Sequence, residues 1–168
     1  MKMSVFDVHT SENTEPFRFQ HAKSEMRVVD AHDGDTIKVI MEVYPGFFCK
    51  ASLRLYGIDT PEITSKVAET KRSAIRARDR LVELISGSLP DKGEQIPKHL
   101  QSKTFVIHAD VLGVDKYGRV LADCKSSKEA PETFSEILIR EKLGVKYGGG
   151  NKIEAWAALQ QQQENRAV

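Results

Sequence analysis

The sequence lacks a long apolar run and has few cysteines. No stretch approaches the ~20 apolar residues that a helix needs to span a bilayer. The two cysteines, Cys49 and Cys124, stand in separate segments without metal-ligand spacing, so we expect free thiols. The first fifteen residues contain no basic stretch followed by an apolar one, so no secretory signal is indicated. We therefore expect an intracellular protein, cytoplasmic by default, with no membrane partner.

A basic excess is also missing. The 25 lysines and arginines face 24 aspartates and glutamates, which gives a formal net charge of +1. Proteins that coat nucleic acid need a clearly basic surface because phosphate neutralisation supplies most of their non-specific affinity. If this protein acts on nucleic acid, we expect it to hold the chain weakly and locally, as an enzyme that releases its product does.

The 168 residues suggest one domain preceded by an arm. Residues 1–23 show no sustained periodicity and are expected to be poorly structured or loosely packed. A single domain is expected over residues 24–168, with a monomer as the default state. Alternating apolar and polar residues predict a short strand at Val28 and Val29, followed by strands over 36–44, 47–57, 104–112 and 119–124.

Helical spacing of apolar residues predicts a helix over residues 68–86. Its arginines, Arg72, Arg76 and Arg80, are interpreted as a solvated face in preference to a phosphate-binding row. A second helix is predicted over 134–143, capped by Thr133 or Ser135, and a third is expected to begin near Lys152. Residues 87–102 are predicted to form a loop. The element order favours an α+β fold, mainly β, in which helices surround a small barrel.

Three short clusters contain residues that could perform chemistry. They are Asp-Gly-Asp-Thr at 33–36, Asp-Thr-Pro-Glu at 59–62 and Asp-Lys-Tyr-Gly-Arg at 115–119. Each alone has a plain structural interpretation: a turn, a helix start with proline in its first turn, and a hairpin loop that needs glycine. Only their combination indicates a functional site.

Together, the first two clusters supply hard oxygen ligands. The Thr60 carbonyl can add a further oxygen to the four available carboxylates. These carboxylates belong to Asp33, Asp35, Asp59 and Glu62. All-oxygen ligation favours calcium or magnesium over zinc or copper. Arg54 and Arg119 add two guanidinium groups on separate elements. A cation with two arginines suits a phosphodiester transition state, since both neutralise charge that builds on the phosphoryl oxygens.

The three motifs, in this order and at this approximate spacing, resemble the staphylococcal nuclease (thermonuclease) family. The similarity extends from about Arg27 to Tyr147, with its centre in the segment Arg-Leu-Tyr-Gly-Ile-Asp-Thr-Pro-Glu at 54–62. The resemblance implies an OB-fold barrel of five strands with about three helices. It also implies Ca²⁺-dependent hydrolysis of DNA, RNA or both, in which the P–O5′ bond breaks and 3′-phosphate ends remain.

The resemblance also implies roles at the metal. Asp35 and Asp59 correspond to direct calcium ligands, and the Thr60 carbonyl completes the protein side. Asp33 corresponds to a residue that acts on the metal through water. Glu62 corresponds to the residue assigned as general base or, alternatively, as a positioner of the attacking water.

The remaining correspondences concern the substrate. Arg54 and Arg119 match the two phosphate-binding arginines, so Arg54, Glu62 and Arg119 form the expected catalytic set. Lys116 and Tyr117 match the pair beside the terminal phosphate of a bound nucleotide. Tyr147 stands where family members place tyrosines beside the base, but it is followed by three glycines, which leaves a single ring for stacking.

Other departures from the family lie outside the metal and arginine positions. The loop over 87–102 is longer, and Lys142 replaces an expected helix-ending glycine. The main alternative is a non-catalytic nucleic-acid or protein-binding module of the same fold. Such modules are expected to lose catalytic residues, and none is missing here. A purely structural calcium site is a third possibility, but it leaves Arg54 and Arg119 without a purpose.

Overall fold

The computed structural model describes residues 22–148, together with Val8, Glu12 and Asn13. The helix expected from Lys152 lies outside the described residues. So does most of the arm expected over residues 1–23, although the first strand already begins at Ala22.

Strands make up most of the regular structure. Seven occur in the described part of the chain: β1 (Ala22–Asp33), β2 (Thr36–Tyr44), β3 (Phe47–Leu55), β4 (Ile58–Asp59), β5 (Val106–Val114), β6 (Val120–Lys125) and β7 (Val145–Lys146). Five of them close a barrel in the order β1-β2-β3-β6-β5, and β4 pairs with β7 beside it. The pair β3–β6 is parallel, while the other barrel pairs are antiparallel. The predicted α+β fold with a five-stranded, OB-like barrel is confirmed.

The first strand is much longer than the short segment predicted at Val28 and Val29. β1 has 12 residues and pairs with both β2 and β5. Its register with β2 shifts between Val28 and Asp30, which interrupts the alternation and buries two adjacent valines. The two valines at this irregularity were therefore the only part of β1 that the sequence pattern predicted.

The helices in the described residues are α1 (Ala68–Ser86), α2 (Ile96–Gln101) and α3 (Phe134–Arg140). α1 has the predicted bounds, buries Ala74, Ala77, Leu81 and Val82, and ends at Gly87 with φ 79°. Thr133 is the N-cap of α3 and forms a capping box with Glu136, as the predicted Thr133 cap requires.

The prediction that residues 87–102 form only a loop is wrong, because the segment contains α2. Pro97 lies in the first turn of this helix, where backbone N–H groups have no partner within the helix, so proline costs no hydrogen bond. Leu100 is fully buried against the barrel. A helix of six residues presents one buried side chain, which is too little for a recognisable apolar stripe.

α1 and α3 are joined by charged hydrogen bonds. The Nε and Nη2 atoms of Arg80 donate to the two carboxylate oxygens of Glu141 at 2.8 and 2.9 Å. Hydrogen bonding by Arg80 lowers the pKa of Glu141, and Glu141 in turn raises the pKa of Arg80. Arg72 is solvent-exposed and pairs with Glu69, as expected for a solvated face, whereas Arg80 fixes one helix to another.

The barrel interior is apolar and both thiols are free. Cys124 is buried, which raises the pKa of its thiol, and Cys49 is half-buried. Within the described residues, no helix has the length and apolar character needed to cross a membrane.

Candidate functional site

The first two motifs meet at one end of the barrel through strand register. Residues 33–36 form the turn from β1 into β2, and Thr36 pairs with Arg54 of β3. The backbone N–H of Leu55 donates to the carbonyl of Asp35 at 2.9 Å. After a turn at Gly57, which has φ 77°, the chain enters β4 and reaches Asp59.

The third motif closes the same end from the β5–β6 connection. A cavity of about 440 Å³ lies between the three motifs. Its lining residues are Asp33, Asp35, Thr36, Arg54, Asp59, Thr60, Glu62, Tyr117 and Arg119.

A single arginine joins the two innermost carboxylates. Nη1 of Arg54 lies 2.7 Å from Oδ1 of Asp35, and Nη2 lies 2.9 Å from Oδ1 of Asp59. All three side chains are at most 12% exposed. Burying a charge is costly unless it is paired, and Arg54 pairs with both carboxylates, although its single positive charge neutralises them only in part.

Asp35 also organises its surroundings through hydrogen bonds. Its Oδ1 accepts from Thr36 Oγ1 at 2.9 Å, and its Oδ2 accepts from the backbone N–H of Thr60 at 2.9 Å. Thr60 is 3% exposed, and its Oγ1 has no hydrogen-bond partner among the described residues. A buried hydroxyl without a partner is costly in a folded protein, so Thr60 Oγ1 is an unsatisfied polar atom in a residue that lines the cavity.

The other two acids lie closer to solvent. Asp33 Oδ1 accepts from the backbone N–H of Ile63 at 3.1 Å, which holds residues 59–63 against the β1–β2 turn. Glu62 is exposed at the cavity edge. No hydrogen bond or ion pair joins its carboxylate to another described residue, so the group is available to a water or a ligand.

Arg119 is held by Asp115 within the β5–β6 turn. Oδ1 of Asp115 accepts from the backbone N–H groups of Tyr117 and Arg119, each at 2.9 Å, and Oδ2 accepts from Arg119 Nε at 2.7 Å. Burial raises the pKa of Asp115, but these hydrogen bonds outweigh it, and the pKa is lowered. Gly118 supplies the positive φ of 79° that the turn needs. The Arg119 guanidinium lies over the Tyr117 ring, 5.4 Å from its centroid.

Most of the predicted site residues therefore line the same cavity, and two do not. Lys116 lies outside the lining, with its Nζ 5.1 Å from the Tyr117 ring centroid. Tyr147 is half-buried and also outside the lining, and its backbone N–H donates to the carbonyl of Gly57 at 2.9 Å. The structure thus connects Tyr147 to the turn that precedes Asp59.

Four positions that support the site had no predicted role. Thr36 and Asp115 belong to the motifs, so their hydrogen bonds to site residues could have been suspected from their proximity in sequence. Gly34 and Gly144 matter because neighbours approach closely. An added Cβ would lie 2.6 Å from Ala77 Cβ at Gly34, and 2.6 Å from Ile58 Cδ1 at Gly144. No sequence pattern signals these two contacts, since the partners are distant in the chain.

The cavity chemistry fits a hard divalent cation. Four carboxylates face two guanidinium groups, which leaves the lining negative. The protein side supplies two buried carboxylates and nearby carbonyl and hydroxyl oxygens. In the described part of the chain, no group of three or more histidine, cysteine, aspartate or glutamate side chains is arranged to hold a metal ion.

Comparison with known proteins gives no further support. No protein-family model matches the chain, and no curated protein matches it. The resemblance to the staphylococcal nuclease family consequently depends on the three motifs and their arrangement.

Proposed function

We propose that the protein is a calcium-dependent nuclease that hydrolyses phosphodiester bonds of DNA, RNA or both and leaves 3′-phosphate ends. The observation that carries the proposal is the meeting of three separate motifs around one cavity of about 440 Å³. Each motif alone is explained by a turn or a helix start. Those local explanations do not account for four acids and two arginines that line the same cavity.

Asp35 and Asp59, with the Thr60 carbonyl, would hold the calcium ion, and Asp33 would act through water. When bound, the ion supplies positive charge to the phosphoryl oxygens. Arg54 already spans both carboxylates, so it lies beside the metal ligands and can neutralise the same phosphate. Arg54 therefore provides a fixed positive charge at the base of the cavity.

Arg119 is suited to bind the phosphate from the other side. Asp115 engages its Nε, and neither terminal nitrogen forms a hydrogen bond to another described residue. These two nitrogens can donate to two phosphoryl oxygens in the forked geometry that arginine favours. Because Asp115 is itself fixed by backbone N–H groups, the guanidinium is oriented before substrate arrives.

Glu62 would orient the attacking water and accept its proton. The water oxygen forms a bond to phosphorus, the P–O5′ bond breaks in line with the attack, and the O5′ leaving group takes up a proton from solvent. The Glu62 carboxylate is at the cavity edge and is not occupied by another described side chain, as this role requires.

The proposal is tested by incubating the purified protein with single-stranded DNA, duplex DNA and RNA, each with calcium or with a chelator. We expect cleavage with calcium, none with chelator, and 3′-phosphate product ends. If none of the substrates is cut with calcium at neutral to alkaline pH, the protein is not a nuclease of this kind.

Replacing Arg119 gives a sharper prediction. Arg119→Ala removes two donors to the transition-state phosphate, so turnover should fall roughly 10²–10³-fold. The turn should survive because Asp115 still accepts from the backbone N–H groups of residues 117 and 119. Arg72→Ala, at a 70% exposed side chain on α1, is the matched control and should keep full activity. Equal rates for the Arg119 variant and the control would remove Arg119 from the reaction.

A second candidate is a non-catalytic binding module of the same fold. The pairing of Arg54 with both carboxylates favours it, because each buried carboxylate already has a cationic partner without any ligand. Such a module would bind oligonucleotide or protein with no calcium-dependent cleavage. The cleavage assay therefore separates the two candidates directly.

A further inference from the structure

The segment that carries Asp59 and Thr60 lies outside the barrel. β4 has two residues and pairs with β7, which is equally short. A pairing of two residues is too short to fix a strand, because even a complete two-stranded hairpin is only marginally stable in water. Other contacts must therefore set the position of Asp59 and of the Thr60 carbonyl.

The turn that leads into β4 is held through its carbonyl groups. The Tyr56 carbonyl accepts from Ser135 Oγ at 2.7 Å, and the Gly57 carbonyl accepts from the backbone N–H of Tyr147 at 2.9 Å. The next carbonyl along the chain accepts from Nη2 of Arg54 at 3.3 Å. The three donors belong to α3, to the chain just after β7, and to β3. Three separate elements therefore hold three successive carbonyls.

Ser135 differs from the other two donors. Arg54 also pairs with the two carboxylates, and the donor of Tyr147 is a backbone group that any residue except proline would supply. The Ser135 hydroxyl has this single hydrogen bond in the described chain, to a partner 79 positions away. The N-cap of α3 is Thr133, so the Ser135 hydroxyl is not needed to cap its own helix.

The hydroxyl is attached to a well-buried part of the molecule. Ser135 is 5% exposed, and the preceding residue, Phe134, is 1% exposed and belongs to the barrel core. On the other side of the peptide unit, the backbone N–H of Tyr56 donates to the Ala122 carbonyl of β6 at 2.9 Å. Tyr56 is thus held through both its N–H and its C=O immediately before the turn at Gly57.

The segment before β7 packs closely against the same part of the chain. An added Cβ at Gly144 would lie 2.6 Å from Ile58 Cδ1 and 3.0 Å from the Asp59 carbonyl oxygen. The backbone of Asp59 therefore lies against Gly144 with no room for a side chain between them. Because α3 and β7 are joined by only four residues, both ends of the 56–59 segment are positioned by one short part of the chain.

We propose that Ser135 is a positioning residue for the metal site: its hydroxyl holds the turn at residues 56–57, and this turn sets where Asp59 and the Thr60 carbonyl lie. The inference rests on the proposed nuclease function, in which both groups bind calcium. Ser135 is outside the cavity lining and acts on the site through the backbone. Hydrogen bonds behind metal ligands orient them, and loss of one costs roughly 10–100-fold in metal affinity or activity.

A hydrogen bond that only stabilises the fold would behave differently. Loss of any buried hydrogen bond lowers stability, whereas loss of a positioning contact also weakens calcium binding by the molecules that remain folded. Ser86 is the matched control. Its Oγ donates to the Val82 carbonyl at 2.8 Å within α1, and the residue is half-buried and outside the cavity lining.

Isothermal titration with calcium alone, without nucleic acid, gives the calcium Kd of each variant. Ser135→Ala should raise this Kd roughly tenfold, the lower end of the effect expected behind a metal ligand. Ser86→Ala should leave it at the parental value, and Ser135→Thr, which keeps a hydroxyl donor, should stay close to it. In chelator, both alanine variants should unfold at temperatures lower by roughly 2–4 °C, as for one lost hydrogen bond.

Cleavage kinetics at saturating calcium provide a second readout. Ser135→Ala should lower kcat more than it raises KM for an oligonucleotide, because the change displaces a metal ligand and leaves the Arg119 contact intact. A merely structural role would leave both constants unchanged once the rate is expressed per folded molecule.

A parental calcium Kd in Ser135→Ala overturns the inference and leaves the proposed function standing. So does an equal rise of Kd in Ser86→Ala or in Ser135→Thr, since neither rise could be assigned to the lost hydroxyl donor. An unfolded Ser135→Ala would make the hydroxyl a general requirement of the fold and overturn the inference as well. If the parent protein binds no calcium, the proposed function fails and the inference fails with it.

Discussion

At the scale of single residues, one backbone position stands out after α3. Lys142 has φ 60°, the only positive φ at a non-glycine residue in the described chain. The N–H of Lys142 donates to the Ile139 carbonyl, and that of Leu143 to the Leu138 carbonyl, at 3.0 and 2.9 Å. These bonds form the Schellman motif that ends a helix, in which glycine is the preferred residue at this position. The resemblance to the staphylococcal nuclease family also predicts glycine at this position.

Lys142→Gly should therefore stabilise the protein. The left-handed conformation costs an ordinary residue roughly 1 kcal/mol, and glycine avoids this cost while losing part of the gain to unfolded-state entropy. We expect a net gain of about 0.5 kcal/mol in the free energy of unfolding, measured by urea denaturation. Lys128→Gly, at an exposed loop lysine with negative φ, should give no gain. A loss at residue 142 would show that the lysine side chain makes a compensating contact.

The second residue-scale prediction concerns the close approach at Gly34. A Cβ there would lie 2.6 Å from Ala77 Cβ and 3.0 Å from Thr60 Cγ2, so the β1–β2 turn or α1 must shift. Gly34→Ala should cost about 1–3 kcal/mol as an overpacked site and lower calcium-dependent activity, since Asp33 and Asp35 flank the turn.

The double variant Gly34→Ala, Ala77→Gly separates steric overlap from backbone conformation. Removing the Ala77 methyl should recover part of the activity, although glycine within α1 itself costs about 1 kcal/mol. Activity measured per folded molecule is the relevant quantity. If the double variant shows no recovery over Gly34→Ala, overlap with Ala77 is not the cause.

At the scale of elements, the sequence was informative where a pattern repeats. α1 appears with its predicted bounds because its apolar residues follow helical spacing over 19 residues. β2 alternates along its whole length, and β3 largely alternates after Phe47, which is exposed together with Phe48. α2 was missed because six residues carry no periodic signal, and β1 was shortened because its bulge interrupts alternation.

The same reasoning applies to the site. The motif residues could be selected from local chemistry, but their convergence depends on register and barrel closure, which no local pattern reveals. Arg80 shows the limit of prediction from local patterns, since its partner Glu141 is 61 positions away. Its hydrogen bonds join α1 to α3 and could not be anticipated from an arginine row on one helix.

Glu141→Gln tests the contact between these helices through its pH dependence. Hydrogen bonds from Arg80 hold the pKa of Glu141 below its usual value of 4.5. A lowered folded-state pKa stabilises the protein above the unfolded pKa, and this contribution disappears as pH falls through the folded value. The variant should lose about 1 kcal/mol at pH 7, a modest value because the pair is partly exposed.

Thermal or urea unfolding at pH 7 and at pH 3.5 provides the comparison. The difference between parent and variant should shrink at the lower pH as Glu141 becomes protonated. Glu132→Gln, which removes a partner of the 60% exposed Arg140, should have a smaller effect at both values. An equal loss at both pH values for Glu141→Gln would mean that packing, and not charge, joins α1 to α3.

At the scale of the whole molecule, the barrel brings acids from β1–β2 and β4 together at one end, with few cations to balance them. Folding therefore concentrates negative charge that Arg54 only partly neutralises. A calcium ion that binds this arrangement has no equivalent site in the unfolded chain. Its binding must then add to the free energy of folding.

Calcium should accordingly raise the unfolding temperature, independently of any activity. At a free concentration of 100 times Kd, the gain is about 2.7 kcal/mol, which corresponds to roughly 5–10 °C for a chain of this length. Asp35→Asn should abolish the calcium-dependent part of the shift, because it removes a buried carboxylate from the proposed ligands. Asp110→Asn, on β5 outside the cavity lining, should keep it. Equal shifts in the two variants would place any calcium elsewhere, and no shift in the parent protein would leave Arg54 as the cation that Asp35 and Asp59 share.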